Sequence, residues 1–412
     1  MLDKILDSWP PTRDEALRRL QDFLPHAGRD YATSRNFDLG PADRSNVSTL
    51  SPYLRHRLIR EDEVVAAVLG RHGLHAAEKF LQEVCWRTYW KGWLELRPSV
   101  WEAYLDEVAS LTSSLDQKRD LGGRWEAATT GRTGIACFDA WARELVNQGY
   151  LHNHARMWFA SLWIFTLKLP WQLGADFFLQ HLLDGDPATN TLSWRWVAGI
   201  QTPGKTYLAR SENISRYTEG RFTPRERIAE YAVPIEGELP SRPRKLPVRD
   251  RPADDPSGLL ITEEDLHPES LSLPGGIIRA LGVLGPSANR SKSVLSPHVF
   301  NFAAGAIEDS LKRAEVHFDA PTEQFSDRSE EEVVDWANRL GFRQLITADA
   351  PVGFIRSKLD KLDNLLGATG VRLIRIRRSW DEALWPLATG GYFTFKARLS
   401  DQISRLVNTN SD

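Results

Sequence analysis

The chain reads as two unlike halves, an all-helical N-terminal half and a C-terminal doubly wound parallel α/β half. Three observations point there. Up to about residue 225, apolar residues recur at helical spacing, and nothing alternates with the two-residue period of a strand. From about 224 to 257 the text turns to proline and charge, as in VPIEGELPSRPRKLPVRDRPADDPSG, and reads as an extended linker. Beyond it, short apolar runs are separated by amphipathic helices. The expected limits are 1–223 for the helical domain, 224–257 for the linker and 258–412 for a Rossmann-like α/β domain.

Taken in order, His75 to Leu96 is a helix with Trp86, Trp90 and Trp93 on one side. In CFDAWARELVNQG, Phe138, Trp141 and Leu145 share a helix face, and Gly149 is placed to end the helix. HNHARMWFASLWIFTLKLP continues as a mostly apolar helix stopped by Pro170. In the second half GLLIT (258–262), AEVHF (314–318), RQLIT (343–347) and VRLIRIR (371–377) are expected as strands. Helices near 291–313, 329–341 and 353–368 are long enough to cross over a parallel sheet. Strands buried on both faces need not alternate. Gly275, Gly276, Gly282 and Gly285 lack the spacing and context of a dinucleotide fingerprint.

Composition sets limits on function. Net charge is −3, and residues 1–225 hold 28 Lys+Arg against 27 Asp+Glu, so any contact with nucleic acid must rest on a local patch. Cys85 and Cys137 are the only cysteines and sit among apolar neighbours, as buried thiols of a reducing cytoplasm would. No run of eighteen apolar residues occurs, and MLDKILDSWPPTRDEAL lacks a signal-peptide core, so a cytoplasmic protein without a membrane span is expected. Twelve of the fifteen tryptophans lie before position 197; most are expected in the core, yet their concentration in one half suggests a domain that makes use of indoles.

Three segments of the helical half carry polar groups where a buried bundle should not want them. SNVSTLSPYL (45–54) places hydroxyls ahead of a helix starting at Ser51–Pro52; it reads either as a phosphate cradle or as an ordinary capped helix. HNHARM (152–157) opens a helix that is otherwise apolar. LLDGDPATNTLSWRW (182–196) sets two aspartates about a glycine, then an asparagine, then two tryptophans around Arg195. It lacks the spacing and closing glutamate of an EF-hand, so no metal site is expected. Arg156 is the natural buried partner for one aspartate, because an unpaired carboxylate would be costly there.

With YATSR, EVCWRTYW and GRTG, these segments occur in the order and approximate spacing of DNA photolyases and cryptochromes, and the helical half resembles their FAD-binding domain. The resemblance covers roughly half the chain. It implies FAD in the helical half, with Tyr31 and the run Ser48, Thr49, Leu50, Ser51 along its diphosphate and ribityl parts. Asp184 and Asp186 would contact the flavin edge and adenosine portion, with Arg156 paired to Asp184, and Asn190 would face flavin N5. Glu83, Trp86, Asn153, Met157 and Trp196 fall where cyclobutane-dimer photolyases contact their lesion, implying DNA containing pyrimidine dimers as partner. Asn153 and Met157 stand where (6-4) photolyases typically have histidines. The alternative within the same resemblance is a cryptochrome-like blue-light photoreceptor without repair. Trp194 and Trp171 match two inner members of the electron relay. The outer tryptophan is missing, leaving Tyr104 or Trp101 as substitutes.

Four departures stand out. Val47 and Tyr150 replace a threonine and a tryptophan of the pattern, and segment 199–214 differs most. The family's α/β domain normally precedes the helical one, so the order here is inverted; ITEEDL after the first expected strand is similar to the family's opening strand and loop. No antenna chromophore is assigned.

Overall fold

The computed structural model describes residues 8–115, 117–237, 240–288, 290–291, 294–327 and 330–409. The first half is built from helices α1 (Arg13–Phe23), α2 (Arg29–Ser34), α3 (Ser51–Arg55), α4 (Glu61–Arg71), α5 (Leu74–Glu95), α6 (Ser99–Ser114), α7 (Arg119–Thr129), α8 (Ala136–Gln148), α9 (Asn153–Ser161), α10 (Trp171–His181), α11 (Pro187–Val197) and α12 (Ser211–Tyr217). The long helix α5 is almost wholly buried over its last turns, as its tryptophan spacing implied. Gly149 ends α8 in the left-handed region (φ 67°), which glycine enters without a Cβ penalty. The expected single helix to Pro170 instead stops at Ser161 and runs on as a π turn, Leu162–Thr166. A wide turn of this kind inserts one residue and re-aims the side chains that follow.

The second half is a sheet flanked by helices: β1 (Ser257–Ile261), β2 (Ile278–Leu284), α13 (Pro297–Phe318), β3 (Thr322–Phe325), α14 (Glu330–Arg339), β4 (Gln344–Ala348), α15 (Phe354–Ala368), β5 (Arg372–Ile376), α16 (Ser379–Leu384) and α17 (Tyr392–Thr409). The order is β3-β2-β1-β4-β5, and every pairing is parallel. One sheet face, through Leu259, Ile261, Leu281 and Ile346, shares a core with α13 and the helical half. The other, through Leu260, Leu284, Leu345 and Leu373, packs under Trp336 of α14 and Leu359 of α15.

AEVHF is not a strand. It forms the last turns of α13, where Ala314 is buried and Val316 is 85% exposed. Its alternation is that of a helix surface meeting solvent at its end. The strand it displaced is β3, TEQF, an edge strand of mostly polar residues, and β2 was not expected either. The helix expected near 291–313 begins at Pro297; residues 292, 293 and 329 lie outside the described residues.

The stretch before β1 has no helix or strand among its described residues and lies against both halves. Arg244 donates from its backbone to the Leu96 carbonyl (2.9 Å) and from its side chain to the Glu95 carbonyl (3.0 Å). No helix of the described residues is long and apolar enough to cross a membrane.

Candidate cofactor and substrate site

The site is assembled from segments distant in the chain, from Tyr31 on α2 to Trp196 on α11. Asp186 is the N-cap of α11: its side chain accepts from Thr189 N (2.8 Å) while Pro187 takes the first helical position. That cap fixes the Leu183–Asp186 turn, so Asp184 and Asp186 point to different cations. Arg156 from α9 grips Asp184 with two hydrogen bonds of 3.0 Å, as its position suggested. Arg87 from α5 bonds Asp186. Sequence reasoning missed Arg87, because nothing local marks one arginine of a buried helix as the partner of a residue 99 positions away.

Burial opposes charge on both aspartates, and the cations outweigh it. Arg156 and Arg87, helped by the Ser51 hydroxyl, hold the Asp184 carboxyl below its usual range. Arg87, Lys91 and Arg55 do the same for Asp186. Both are therefore carboxylates at neutral pH. Lys91 is buried beside them, and desolvation together with the Arg57 charge pushes its amine down.

The hydroxyl run leads into α3. The cap position falls on Leu50 and not on Ser51, and no side chain caps the helix; the Ser51 hydroxyl is turned to Asp184 instead. With five residues α3 is too short to gather much of a helix dipole. Thr49 has φ 52°, an outlier for a β-branched residue. Its hydroxyl accepts from Arg19 (2.8 Å), whose guanidinium also lies over the Trp9 ring at 4.6 Å. Arg19 and Trp9 belong to an N-terminal segment given no role above. Ser48 is half-buried and Leu50 fully so. Tyr31 is buried edge-on against Phe23 and Phe80, and Arg35 stands between it and Glu83. The structure therefore groups Tyr31 with Arg35 and Glu83, apart from the hydroxyl run. Tyr150 lies between the guanidinium groups of Arg44 (4.6 Å) and Arg156 (5.4 Å).

Asn190 sits one turn into α11, and its amide donates to the Ala175 carbonyl (2.8 Å). That bond fixes which way the amide lies and leaves its oxygen as an acceptor. Trp194 packs among Phe159, Trp163 and Phe178, so close to α10 that a Cβ on Gly174 would come within 2.3 Å of its ring. Trp171 stacks on Tyr104 (5.6 Å between centroids), and Tyr104 stacks on Trp101 (5.2 Å).

Among the expected lesion contacts, Glu83 is paired with Arg35, and burial raises its carboxyl against the pull of that arginine. Asn153 is exposed at the first position of α9, and Met157 is half-buried one turn on. Trp196 stacks on Tyr207 (5.8 Å), whose hydroxyl meets His154 (3.1 Å), so part of the divergent 199–214 segment closes onto this surface. Trp86 is covered. Tyr392, the first residue of α17, lies flat on it with centroids 3.5 Å apart and planes 10° apart, and donates its hydroxyl to the Gln82 carbonyl (3.0 Å).

The donor set suits FAD. Two arginines, a run of hydroxyls, two carboxylates and an oriented amide match a diphosphate, a polyol chain and ring-edge N–H groups. On α11 itself, Thr189 Oγ1 is buried without a partner, a group that a ligand would complete.

Comparison with known proteins agrees. Residues 80–230 match the family described as FAD binding domain of DNA photolyase. The deoxyribodipyrimidine photo-lyase of Agrobacterium fabrum is 34% identical over 196 residues, which is 47% of this chain and 39% of the relative. That of Streptomyces griseus is 34% identical over 191 residues, 46% and 39% of the two chains. A crystal structure of a bacterial class III photolyase from Agrobacterium tumefaciens is 29% identical, covering 50% of this chain and 43% of its own with a TM-score of 0.42. The chain thus matches about two fifths of the length of its curated relatives.

Proposed function

Because residues 80–230 match the family described as FAD binding domain of DNA photolyase, we propose that this protein repairs cyclobutane pyrimidine dimers in DNA with blue light. The observation that carries the reading is the convergence of Arg156–Asp184, Arg87–Asp186 and the Asn190 amide beside the hydroxyl run. Ser48, Thr49, Leu50 and Ser51, with Arg156, Asp184, Asp186 and Asn190, would hold FAD; Arg87 and Arg19 join them as cations, and Tyr31 lines the site through Arg35. When bound, reduced FAD supplies the light-excited electron that splits the dimer.

The chain's own residues do the rest. Glu83 and Asn153 would hydrogen-bond a flipped dimer, while Trp86, Trp196 and Met157 would pack against its rings. Asn190, its amide held by the Ala175 carbonyl, would offer its oxygen to an N–H of the cofactor. Trp194 and Trp171 would pass electrons toward the flavin, and the stack of Trp171, Tyr104 and Trp101 extends that path where the outer tryptophan is missing. The domain limits of 1–223, 224–257 and 258–412 belong to this proposal. So does the view of the second half as the family's doubly wound α/β domain in inverted order. The parallel sheet covered on both faces supports it.

One observation favours a second reading, a cryptochrome-like photoreceptor without repair: Tyr392 already stacks on the ring of Trp86, where a base would have to compete with it. The experiment is illumination of the reduced full-length protein with a thymine-dimer oligonucleotide, for wild type and Tyr392→Ala. Repair by either supports the enzyme; repair by neither, with flavin present, supports the photoreceptor.

A further inference from the structure

The loop after β1 carries three consecutive buried carboxylates, Glu263, Glu264 and Asp265. Glu263 bonds Arg290, and its carbonyl bonds His56 (2.7 Å). Asp265 takes two bonds from Arg378 (both 2.6 Å). Glu264 is different. It grips both terminal nitrogens of Arg55 (2.7 and 2.8 Å), and the remaining nitrogen, Nε, donates to the Gly185 carbonyl (2.9 Å). Gly185 is the residue between Asp184 and Asp186. Arg55 is fully buried, so one side chain joins the loop after the central strand β1 to the turn that carries both site carboxylates.

Two further contacts tighten the same turn. Gly353, from the loop between β4 and α15, lies against Pro187; a Cβ there would come within 2.6 Å of the proline ring. At the far end of α3, Arg57 holds φ 52° and is anchored by Asp381 (2.5 Å) and Asp265 (3.4 Å), both from the second half. A buried arginine without its carboxylate is unstable in place, so Glu264 is what keeps Arg55 on the Gly185 carbonyl. Lysine could not replace it, having no planar fork to serve both partners at once.

We propose that the second half is a working part of the cofactor site, with Arg55, held by Glu264, as the positioning residue for the Asp184–Asp186 turn. The inference rests on the cofactor site described above. It makes the loop after β1 a determinant of flavin affinity without any contact to flavin.

The test uses full-length apoprotein titrated with FAD, together with thermal unfolding of each apoprotein. The variants are Arg55→Lys, Glu264→Gln and, as control, Arg97→Ala, which weakens the same seam at the Ala388 and Thr389 carbonyls without touching the turn. Arg55→Lys and Glu264→Gln are expected to lose about tenfold or more in FAD affinity, the worth of one charge-assisted hydrogen bond. Arg97→Ala should lower the unfolding temperature yet keep FAD affinity within about twofold. Wild-type affinity in the first two variants overturns the inference. So does an affinity that simply follows unfolding temperature across all three. Should Glu264→Gln fail to fold, Arg55→Lys, which keeps the buried charge, carries the test. Asp186→Ala separates the two levels. If it retains FAD, the site itself is misplaced; if it alone loses FAD, only the role of Arg55 fails.

Discussion

Two sets of arginine–carboxylate pairs lie within a few residues of each other and are finished differently. In the cofactor cluster the carboxylates are buried, but the Arg156 side chain keeps 21% of its surface and Arg87 keeps 10%. In the seam between the halves Arg55, Arg290 and Arg57 keep 0%, 1% and 4%. Breaking a fully buried pair leaves an uncompensated charge, whereas a cation open on one side can still exchange water for a ligand's oxygens. The cluster is thus built to receive something, and the seam to hold something still.

The largest expected effect falls on the seam. Arg57→Ala strips Asp381, Asp265 and Glu61 of a shared partner at once. It should destabilise folding by about 3–5 kcal/mol, read by chemical denaturation. A loss below about 1 kcal/mol would mean that the seam is solvated in solution. On the other side of the comparison, Gly174→Ala would drive a methyl into the Trp194 ring, at a cost of about 1–3 kcal/mol. It should also disturb light-driven reduction of the flavin, followed by absorbance. Trp194→Phe should slow that reduction strongly while sparing repair by chemically reduced protein; unchanged photoreduction removes Trp194 from the relay.

Acid gives the mildest probe. Asp184 and Asp186 have folded-state pKa values lowered from 3.8, so their contribution is fully present above 3.8 and is lost as pH falls through the lower folded values. Flavin retention should therefore stay flat from neutral pH down to about 4, then fail. His152 is pushed down to about 4 by burial and stays neutral through most of that window, so it adds no step near 6. Flavin release centred near pH 6 would assign the cofactor's hold to a histidine.

The two halves also differ in how much the sequence disclosed. Helices such as α5 and α8 were legible because a tryptophan or leucine every third or fourth residue states which face is buried. β1, β4 and β5 were legible as short apolar runs between turns. AEVHF misled because a helix end with one exposed valine imitates a strand, and TEQF hid because an edge strand needs little apolar surface. In the site, Arg156 was found because it stands one turn into a polar patch on an apolar helix. Arg87, Arg55 and Glu264 were not, since their partners lie 99 and 209 residues away and no local pattern records such a meeting. The cover of Tyr392 on Trp86, 306 positions earlier, was beyond reach for the same reason.

The central claim is that the turn holding Asp184 and Asp186 binds FAD, and the flavin content of purified Asp186→Ala tests it most directly. Removing that carboxylate leaves Arg87 without its partner and uncaps α11. The protein should therefore fold with reduced stability and emerge nearly colourless, while wild type carries one FAD per chain. An Asp186→Ala protein as yellow as wild type would contradict the account.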